Sequence, residues 1–425
     1  MPTPEHETGP TPTAGPERPT AGPERPTAGP EHPAPRTTDL PTLGEGGEGE
    51  GRRFMPPDFS IALASGRGAD TPGPDGPLPI PGNGERRQPM RGFEEGYTDI
   101  VDWIVRVTHR IWEDQDIGYI YDTYSPGCRI HDDTGLSTGV EQLLGSTLQR
   151  VHAFPDCRHY ADDVIWAGDD DRGFITSHRD VNVGHHTGRW NWGEPTGRRL
   201  DTWVIANCAV RENEIYEEWV LYNTGSILNQ MGIDVVEAAR LQGARLTGPV
   251  LDGTQAGDID RLLGGRKPLP YPAPSRRDGA DIEHTVRALF HNLYNRRDLS
   301  AVDRAYTPNV RWYGTGDRTG YGRSDVRTWA RSLLSTFPDL GTQIDDLHWM
   351  GNDREGYRAS VRWSAVGTHR GHALYGAPTG RRVHLWGITQ LYIDRHHRIT
   401  EEWNLFNEFA ILTQLLRPEP APLTP

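Results

Sequence analysis

The sequence predicts an α+β fold that occurs twice in tandem, preceded by a disordered amino-terminal tail. In two segments, residues 91–242 and 280–417, apolar residues at helical spacing come first and alternating, β-rich sequence follows. The two segments repeat each other at a nearly constant offset, which is typical of a duplicated domain. Helices that precede a run of antiparallel strands predict a domain in which a curved sheet wraps around helices.

Each copy is predicted to begin with three helices. The first helix has an apolar face at positions 100, 103, 104, 107 and 111, and its repeat has one at 282, 286, 289, 290 and 293. A short second helix is predicted at Ile117–Tyr124 and Leu299–Tyr306, where a proline two residues later marks its end. After a short strand, the third helix is predicted at Val140–Ala153 and Asp325–Thr336.

The strands follow the helices and carry the clearest repeats. In the first copy they are predicted at Cys157–Ala167, Gly173–Val183, Arg199–Arg211 and Ile215–Tyr222. Identical short motifs recur 183 or 184 residues later in the second copy. The matching pairs are Phe154–Asp156 with Phe337–Asp339, Pro195–Arg199 with Pro378–Arg382, and Glu217–Trp219 with Glu401–Trp403.

Outside the two copies the composition changes sharply. Residues 1–90 are predicted to be a disordered Pro/Gly-rich tail, because the heptapeptide repeat at 13–33 has no apolar face to offset the entropy of ordering. Residues 243–279 contain the run Pro268–Pro274 and are predicted to form a stiff, Pro-rich linker. Residues 418–425 form a short carboxy-terminal tail.

Composition and charge exclude several classes of partner. A net charge of −14 without a cluster of Lys and Arg argues against nucleic-acid binding. No stretch approaches the roughly 18–20 apolar residues of a spanning helix, and no signal peptide follows Met1, so we expect no membrane partner and a cytoplasmic location. The three cysteines, Cys128, Cys157 and Cys208, form no metal-ligand spacing, and we expect neither a metal nor an organic cofactor.

One block of residues carries a resemblance to a known family. Pro195–Arg199, the strand Ile215–Asn223 and the closing helix Ile227–Gly232 resemble the SnoaL-like polyketide cyclases of the nuclear-transport-factor-2-like (NTF2-like) superfamily. The second copy has the same pattern, and the resemblance covers both copies nearly end to end. It implies two tandem cone-shaped domains that each enclose an apolar pocket for a small apolar molecule. It also implies a polyketide cyclase-like isomerase or lyase of secondary metabolism that needs no cofactor.

Both copies depart from the family at its catalytic position. The family's general base is an aspartate four residues beyond the tryptophan of the Glu-x-Trp motif, and this sequence has Asn223 and Asn407 there. An amide cannot accept a proton at neutral pH, so the mechanism of the family does not transfer directly. In one interpretation, both copies are non-catalytic ligand-binding or scaffolding modules, and the two asparagines donate hydrogen bonds to a ligand.

Two further interpretations keep an enzyme. Glu217 shares a strand face with Trp219 and Asn223 and is a carboxylate base if that face lines the pocket; otherwise it pairs with an arginine such as Arg199. Alternatively, histidine supplies the acid–base group, with His131 beside two aspartates and His178 sharing its strand parity with Asp180.

The pocket walls are predicted from strand alternation. Polar amides stand among large apolar residues in both copies, as expected for a pocket wall with one orienting hydrogen bond or for a packed sheet face. The predicted substrate-binding residues are Trp203, Asn207, Trp219, Trp386, Gln390, Trp403 and Asn407.

The preferred site is in the first copy, because Tyr313 and Val361 replace His131 and His178 in the second. The predicted catalytic residues there are His131, His178, Glu217 and Asn223. We expect a cyclase, isomerase or dehydratase acting on an apolar, carbonyl-bearing metabolite. The two copies are expected to pair as an intramolecular pseudo-dimer that could associate further.

Overall fold

The computed structural model describes residues 88–245, here called domain 1, and residues 282–418, called domain 2. The predicted tail and linker fall almost entirely outside the described residues. Each domain is an α+β unit with one six-stranded sheet and helices packed on one of its faces. The predicted fold class and the tandem duplication are therefore confirmed. None of the helices within the described ranges is long and apolar enough to span a membrane.

Domain 1 follows the predicted order of elements. Its helices are α1 (Ile100–Trp112), α2 (Ile120–Thr123, after a 3₁₀ turn at Ile117–Tyr119), α3 (Val140–Ala153), α4 (Thr224–Met231) and α5 (Val235–Arg245). Its strands are β1 (Tyr124–His131), β2 (Leu136–Thr138), β3 (Arg158–Asp169), β4 (Gly173–His185), β5 (Arg199–Arg211) and β6 (Glu214–Leu221).

Domain 2 repeats this order with small differences. Its helices are α6 (Ile282–Phe290, continued by a π-helical turn at His291–Asn295), α7 (Ala301–Ala305), α8 (Gly322–Thr336) and α9 (Glu408–Leu416). Its strands are β7 (Tyr306–Gly314), β8 (Arg318–Tyr321), β9 (Gly341–Asn352), β10 (Gly356–Thr368), β11 (Arg382–Ile393) and β12 (Ile399–Phe406).

Local sequence explains how the first helix forms. Asp99 is its N-cap, and the carboxylate accepts hydrogen bonds from the backbone N–H groups of Val101 and Asp102. The apolar face predicted from the sequence is buried, including Trp103 and Ile104. This face packs against the sheet and fixes one wall of the domain interior.

The strand order is the same in both sheets: β2-β1-β6-β5-β4-β3 in domain 1 and β8-β7-β12-β11-β10-β9 in domain 2. The β1–β6 and β7–β12 pairs are parallel and the others are antiparallel. Since side chains alternate along a strand, each sheet has an inner face toward its own helices and an outer face. The long β4–β5 pair runs from Phe174 opposite Val210 to His185 opposite Arg199.

The outer faces of the two sheets pack against each other. One apolar cluster joins Ile205, Trp219 and Leu221 of domain 1 to Trp386 and Ile388 of domain 2. A second contact is made by α5, which the sequence analysis did not predict and which packs on α9. Burying this apolar surface favours a fixed arrangement of the two domains.

Candidate functional site

An open cavity lies in domain 1 between the inner face of the sheet and helices α1 and α3, with about 620 Å³ of empty space that includes solvent at its mouth. Its wall combines apolar and aromatic side chains with a small number of polar groups, as is usual for small-molecule sites. Strands β1 and β3 to β6 supply most of the polar groups, and the helices supply most of the apolar ones. Among the lining residues are Ile104, Val107, Trp112, Tyr124, Leu143, Thr147, His159, His178, Asp180, Asn182, Cys208, Glu218 and Tyr222.

Strand β4 provides three consecutive inward-facing polar residues, His178, Asp180 and Asn182. They lie two residues apart, so alternation places all three on the inner face, about 7 Å from one to the next. All three are more than nine-tenths buried. His178 Nδ1 and Asn182 Oδ1 have no hydrogen-bond partner among the described residues. Buried polar groups in proteins are normally paired, so these atoms are available to a ligand.

Burial sets the protonation states of His178 and Asp180, which together with Asn182 form what is here called the polar row. Removal from water, together with the smaller effect of the nearby Asp162 carboxylate, raises the pKa of Asp180 from its usual value to about 7. Burial lowers the pKa of His178 to about 4, so its imidazole is neutral at physiological pH. Asp180 therefore exchanges a proton readily near neutral pH, which is the property required of a general acid or base.

A second cavity, with about 300 Å³ of empty space, adjoins the first. It shares Thr108, His159, His178 and Asp180 with the larger cavity and extends to the partly exposed His109. The two cavities meet between α1 and β3.

Glu218 also lines the cavity, but domain 2 has an equivalent glutamate that accepts the same hydrogen bond from a tyrosine. Burial raises the pKa of Glu218 to about 7, and Tyr124 donates a hydrogen bond of 3.0 Å to its carboxylate. In domain 2, Tyr306 makes the same bond to Glu402. Since this pair persists in a domain without the polar row, it is part of the shared framework of the fold.

The cavity of domain 2 is smaller and more apolar, at about 360 Å³. Trp363 stands at the position of Asp180, and its indole fills the space that the polar row occupies in domain 1. Gly387 permits this, because a Cβ at that position would lie 2.5 Å from the Trp363 ring. The indole N–H donates a hydrogen bond to Thr389. Domain 2 is thus packed internally where domain 1 is open and polar.

Other residues of domain 1 also differ in polarity from their equivalents in domain 2, which lie 183 positions later in the sequence. The polar residue of domain 1 is replaced by an apolar one in three of the four further pairs, the exception being the change of His159 to Thr342. These pairs are Arg150 with Leu333, His159 with Thr342, His178 with Val361 and Asn182 with Ala365.

Of the four predicted catalytic residues, only His178 lines the cavity. His131 and Glu217 are buried on the outer side of the sheet, where His131 stacks on Trp219 at 5.3 Å between ring centroids. The condition set for Glu217 as a base, that its strand face lines the pocket, is not met, because this face of β6 points away from the cavity. Glu218, one residue later, faces the cavity instead.

Glu217 has two basic neighbours in its outer-face environment. Arg129 donates a hydrogen bond of 2.6 Å to one carboxylate oxygen, and His131 Nε2 lies 3.1 Å from the other. These contacts lower the pKa of Glu217 in spite of its burial. The arginine partner is therefore Arg129 rather than Arg199, which lies 3.5 Å from Asp201.

The predicted substrate-binding residues lie mainly between the domains. Trp203 packs against Trp403 with ring centroids 5.0 Å apart, and Trp219 and Trp386 belong to the same apolar cluster. Asn207 and Gln390 are fully buried on this outer face. Of the two interpretations of the alternating strands, the packed sheet face describes these residues, because both faces of each sheet are covered.

The side chains of Asn223 and Asn407 make hydrogen bonds to the protein itself, including bonds to backbone groups and bonds between the domains. Asn223 donates a hydrogen bond to Asp317 of domain 2, and its side-chain oxygen accepts one from the backbone N–H of Gly316. Asn407 accepts a hydrogen bond from the backbone N–H of Trp386. A carboxylate at position 223 would face the Asp317 carboxylate, so the amide suits this contact electrostatically.

The contact between the two sheets is not symmetric. In one half, Gln390 donates hydrogen bonds of 3.0 Å to the backbone oxygen and the hydroxyl of Ser177. Its own oxygen accepts a bond of 2.7 Å from Arg179. The equivalent residue in the other half is Asn207, which is one methylene shorter and whose two side-chain polar atoms have no partner in the described part of the chain.

Replacing Asn207 with glutamine should therefore stabilise the protein by about 1 kcal/mol. The longer amide can reach Ser360 and Arg362, the equivalents of Ser177 and Arg179, whose Oγ and Nε atoms have no partner among the described residues. A higher Tm in thermal unfolding would show the gain. The matched control, Gln390→Asn, should lower the Tm, and a fall with Asn207→Gln would contradict the expected bonds.

Sequence reasoning missed three of the polar residues at this site. Asp180 was noted only as the neighbour of His178, and His159 and Asn182 were not considered. A comparison of the two copies could have identified these residues, since polar positions of domain 1 align with apolar ones of domain 2. Within residues 88–245 and 282–418, no group of three or more His, Cys, Asp or Glu residues is arranged to hold a metal ion.

Comparisons of sequence and structure relate the chain to known proteins. No curated protein matches the sequence significantly. Among solved structures, TsrD from Streptomyces laurentii is 24% identical, with a TM-score of 0.28 and coverage of 32% of this chain and 98% of that chain. A nuclear-transport-factor-2-like protein of unknown function from Burkholderia pseudomallei K96243 is 19% identical, with a TM-score of 0.27 and coverage of 33% and 100%, respectively.

The sequence profile described as SnoaL-like polyketide cyclase matches residues 103–231 and again residues 284–415. The two segments lie one in each domain and together cover more than half of the chain. The protein therefore belongs to the SnoaL-like polyketide cyclase family, as two tandem copies.

Proposed function

We propose that domain 1 binds a small apolar, carbonyl-bearing molecule and catalyses a cofactor-independent proton transfer on it, of the cyclase, isomerase or dehydratase type. The observation that carries this proposal is Asp180, a buried carboxyl group with a pKa of about 7 in the wall of the domain 1 cavity. Perturbed carboxyl groups in clefts are typical of acid–base sites. Domain 2 has Trp363 at this position and is proposed to be a non-catalytic partner.

In the proposed reaction, the Asp180 carboxylate accepts a proton from a carbon next to the substrate carbonyl. The C–H bond breaks, its electron pair moves to the carbonyl oxygen as an enolate, and Asp180 becomes a neutral acid. The enolate carbon then attacks an electrophilic carbon or is reprotonated elsewhere, and Asp180 returns the proton. Asn182 and the neutral His178 orient the substrate through hydrogen bonds.

A non-catalytic ligand-binding role is the second candidate. It is favoured by Asn223 and Asn407, which replace the family's base and make contacts to the protein itself. Under this interpretation the domain 1 cavity holds a ligand without changing it. The two candidates share the cavity and differ in whether Asp180 moves a proton.

Hydrogen exchange in D₂O separates the two candidates. The full chain would be incubated with a panel of aryl ketones and β-dicarbonyl compounds, and deuterium at the α-carbon measured by mass spectrometry. We expect catalysed exchange that rises with pH around a midpoint near 7, because Asp180 must be ionised to act as the base. Asp180→Asn should remove the exchange, whereas Asp201→Asn, at an exposed position, should retain it.

Native mass spectrometry of the purified protein provides the complementary measurement. Binding of panel compounds without exchange by the wild-type chain would contradict catalysis on them and favour the ligand-binding role. Equal exchange by the wild type and Asp180→Asn would exclude Asp180 as the base.

A further inference from the structure

Arg150 on α3 is a buried arginine whose charge is not paired. Only 9% of its surface is exposed, and no carboxylate among the described residues forms an ion pair with it. Arginine is rarely buried without such a partner, because removal of the guanidinium from water is expensive. Its Nη2 atom is completely buried and has no hydrogen-bond acceptor in the described part of the chain. An unpaired donor of this kind requires an explanation.

The position of Arg150 places it beside the domain 1 cavity. Leu143 and Thr147, two turns and one turn earlier on the same helix, line that cavity. The guanidinium carbon lies 4.0 Å from the centre of the Tyr222 ring, which also lines it. The equivalent residue in domain 2 is Leu333, which lines the cavity there.

The charge of Arg150 reaches the polar wall of the cavity. His159 has a pKa lowered to about 3, first by burial and next by the positive charge of Arg150. His159 is paired in register with Asn182 on β4, two residues from Asp180. Arg150 is not itself one of the residues that line the cavity wall; it lies against Tyr222 and close enough to His159 for its charge to act there, and both of these residues line the cavity.

We propose that Arg150 binds a ligand oxygen that carries full or partial negative charge, such as a carboxylate or an enolate. The enolate part of this inference rests on the proposed function, in which proton removal by Asp180 places negative charge on the substrate oxygen. Hydrogen bonds from a guanidinium to such an oxygen are strong in a site that excludes water. The Tyr222 ring holds the guanidinium in place before a ligand enters.

The ligand class follows from this arrangement. A molecule that fits has an apolar body for the interior, an oxygen acceptor directed to Arg150 and a hydrogen-bond donor for Asn182. An ammonium group at the position of the oxygen would be repelled by the positive charge of the guanidinium. The cavity should therefore prefer anionic or carbonyl-bearing ligands to amines of the same size.

Binding of three naphthalene derivatives tests this preference without requiring catalysis. The probes are 2-naphthoate, 2-naphthamide and 2-naphthylmethylammonium, and their Kd values would be measured by calorimetry on the full chain. We expect 2-naphthoate to bind wild type at least tenfold more tightly than the ammonium probe. Arg150→Met should weaken 2-naphthoate binding about 10- to 100-fold, and Arg150→Lys should retain part of it. Arg172→Met, at an exposed turn, should change nothing.

Thermal unfolding of the same variants separates ligand binding from a structural role. Because methionine removes a buried, unpaired charge and keeps a similar volume, Arg150→Met should unfold at the same or a higher Tm. Unchanged 2-naphthoate affinity in Arg150→Met would overturn the proposal, and so would equal affinity of wild type for the carboxylate and ammonium probes. Asp180→Asn should retain the preference for 2-naphthoate. The role of Arg150 in binding can therefore be established even if no compound undergoes the hydrogen exchange that tests the proposed function.

Discussion

Replacing Asp180 with asparagine is expected to stabilise the protein above pH 7 although it removes the proposed catalytic group. The folded-state pKa of Asp180 is about 7, well above its ordinary value of 3.8. Between these two pH values the folded protein holds a proton that the unfolded chain has released. Stability due to this group therefore falls as the pH rises from about 4 to 7, and the loss is complete above that range.

Asparagine has a similar shape and no charge, so the variant avoids this loss. We expect a gain on the order of 1–3 kcal/mol in the free energy of unfolding at pH 8 and little difference at pH 4.5. Thermal or urea unfolding of both proteins at the two pH values measures it. Asp201→Asn, at an exposed position, should show no such pH dependence. An Asp180→Asn protein that is less stable than wild type at pH 8 would show that the carboxylate is well solvated or paired.

The fold could be predicted from the sequence because its signals are periodic and occur twice. Helical spacing at positions 100–111 and alternation in β3 to β6 are local properties, and the offset of 183 tests each of them a second time. The sequence predicts one short strand between the second and third helices, where the structure has two strands, β1 and β2, and it does not predict helix α5. Helix α5 has few strongly apolar residues, and it packs against α9 of the other domain rather than on its own sheet.

The site was harder to predict because both faces of each sheet are buried. Alternation assigns Glu217 and Glu218 to opposite faces but does not show which face is inside. In most antiparallel sheets the solvated face is polar, and here the second domain covers it. Asn207, Trp219 and Gln390 therefore have the composition of a pocket wall while they form an interdomain contact.

Replacing Arg179 should also change the free energy of unfolding strongly, because this side chain joins the two domains directly behind the candidate site. It donates hydrogen bonds to Asp162, to Gln390 at 2.7 Å and to Tyr392 at 2.8 Å. Its guanidinium also lies 4.0 Å from the centre of the Trp403 ring. Arg179→Met leaves these polar partners buried or partly buried without their donor. We expect a loss of roughly 3 kcal/mol in the free energy of unfolding.

Arg362 provides a matched control within the same molecule. It occupies the equivalent position in domain 2 and lies 3.8 Å from the centre of the Trp219 ring, but its ion pair with Asp345 is longer, at 3.9 Å. The Asn207 side chain makes no hydrogen bond to any residue that the structure describes. Arg362→Met should therefore reduce stability by about half as much as Arg179→Met, as measured by urea unfolding followed by tryptophan fluorescence.

The two variants should also differ at the candidate site. Arg179 lies between His178 and Asp180 on β4, so the bonds that domain 2 makes to its side chain hold the strand that carries the polar row. Arg179→Met should weaken 2-naphthoate binding several-fold at a temperature where the variant is still folded. Arg362 lies on β10 beside Trp363, and its loss should leave that affinity unchanged. Equal affinities in both variants would show that domain 2 stabilises domain 1 without positioning its site.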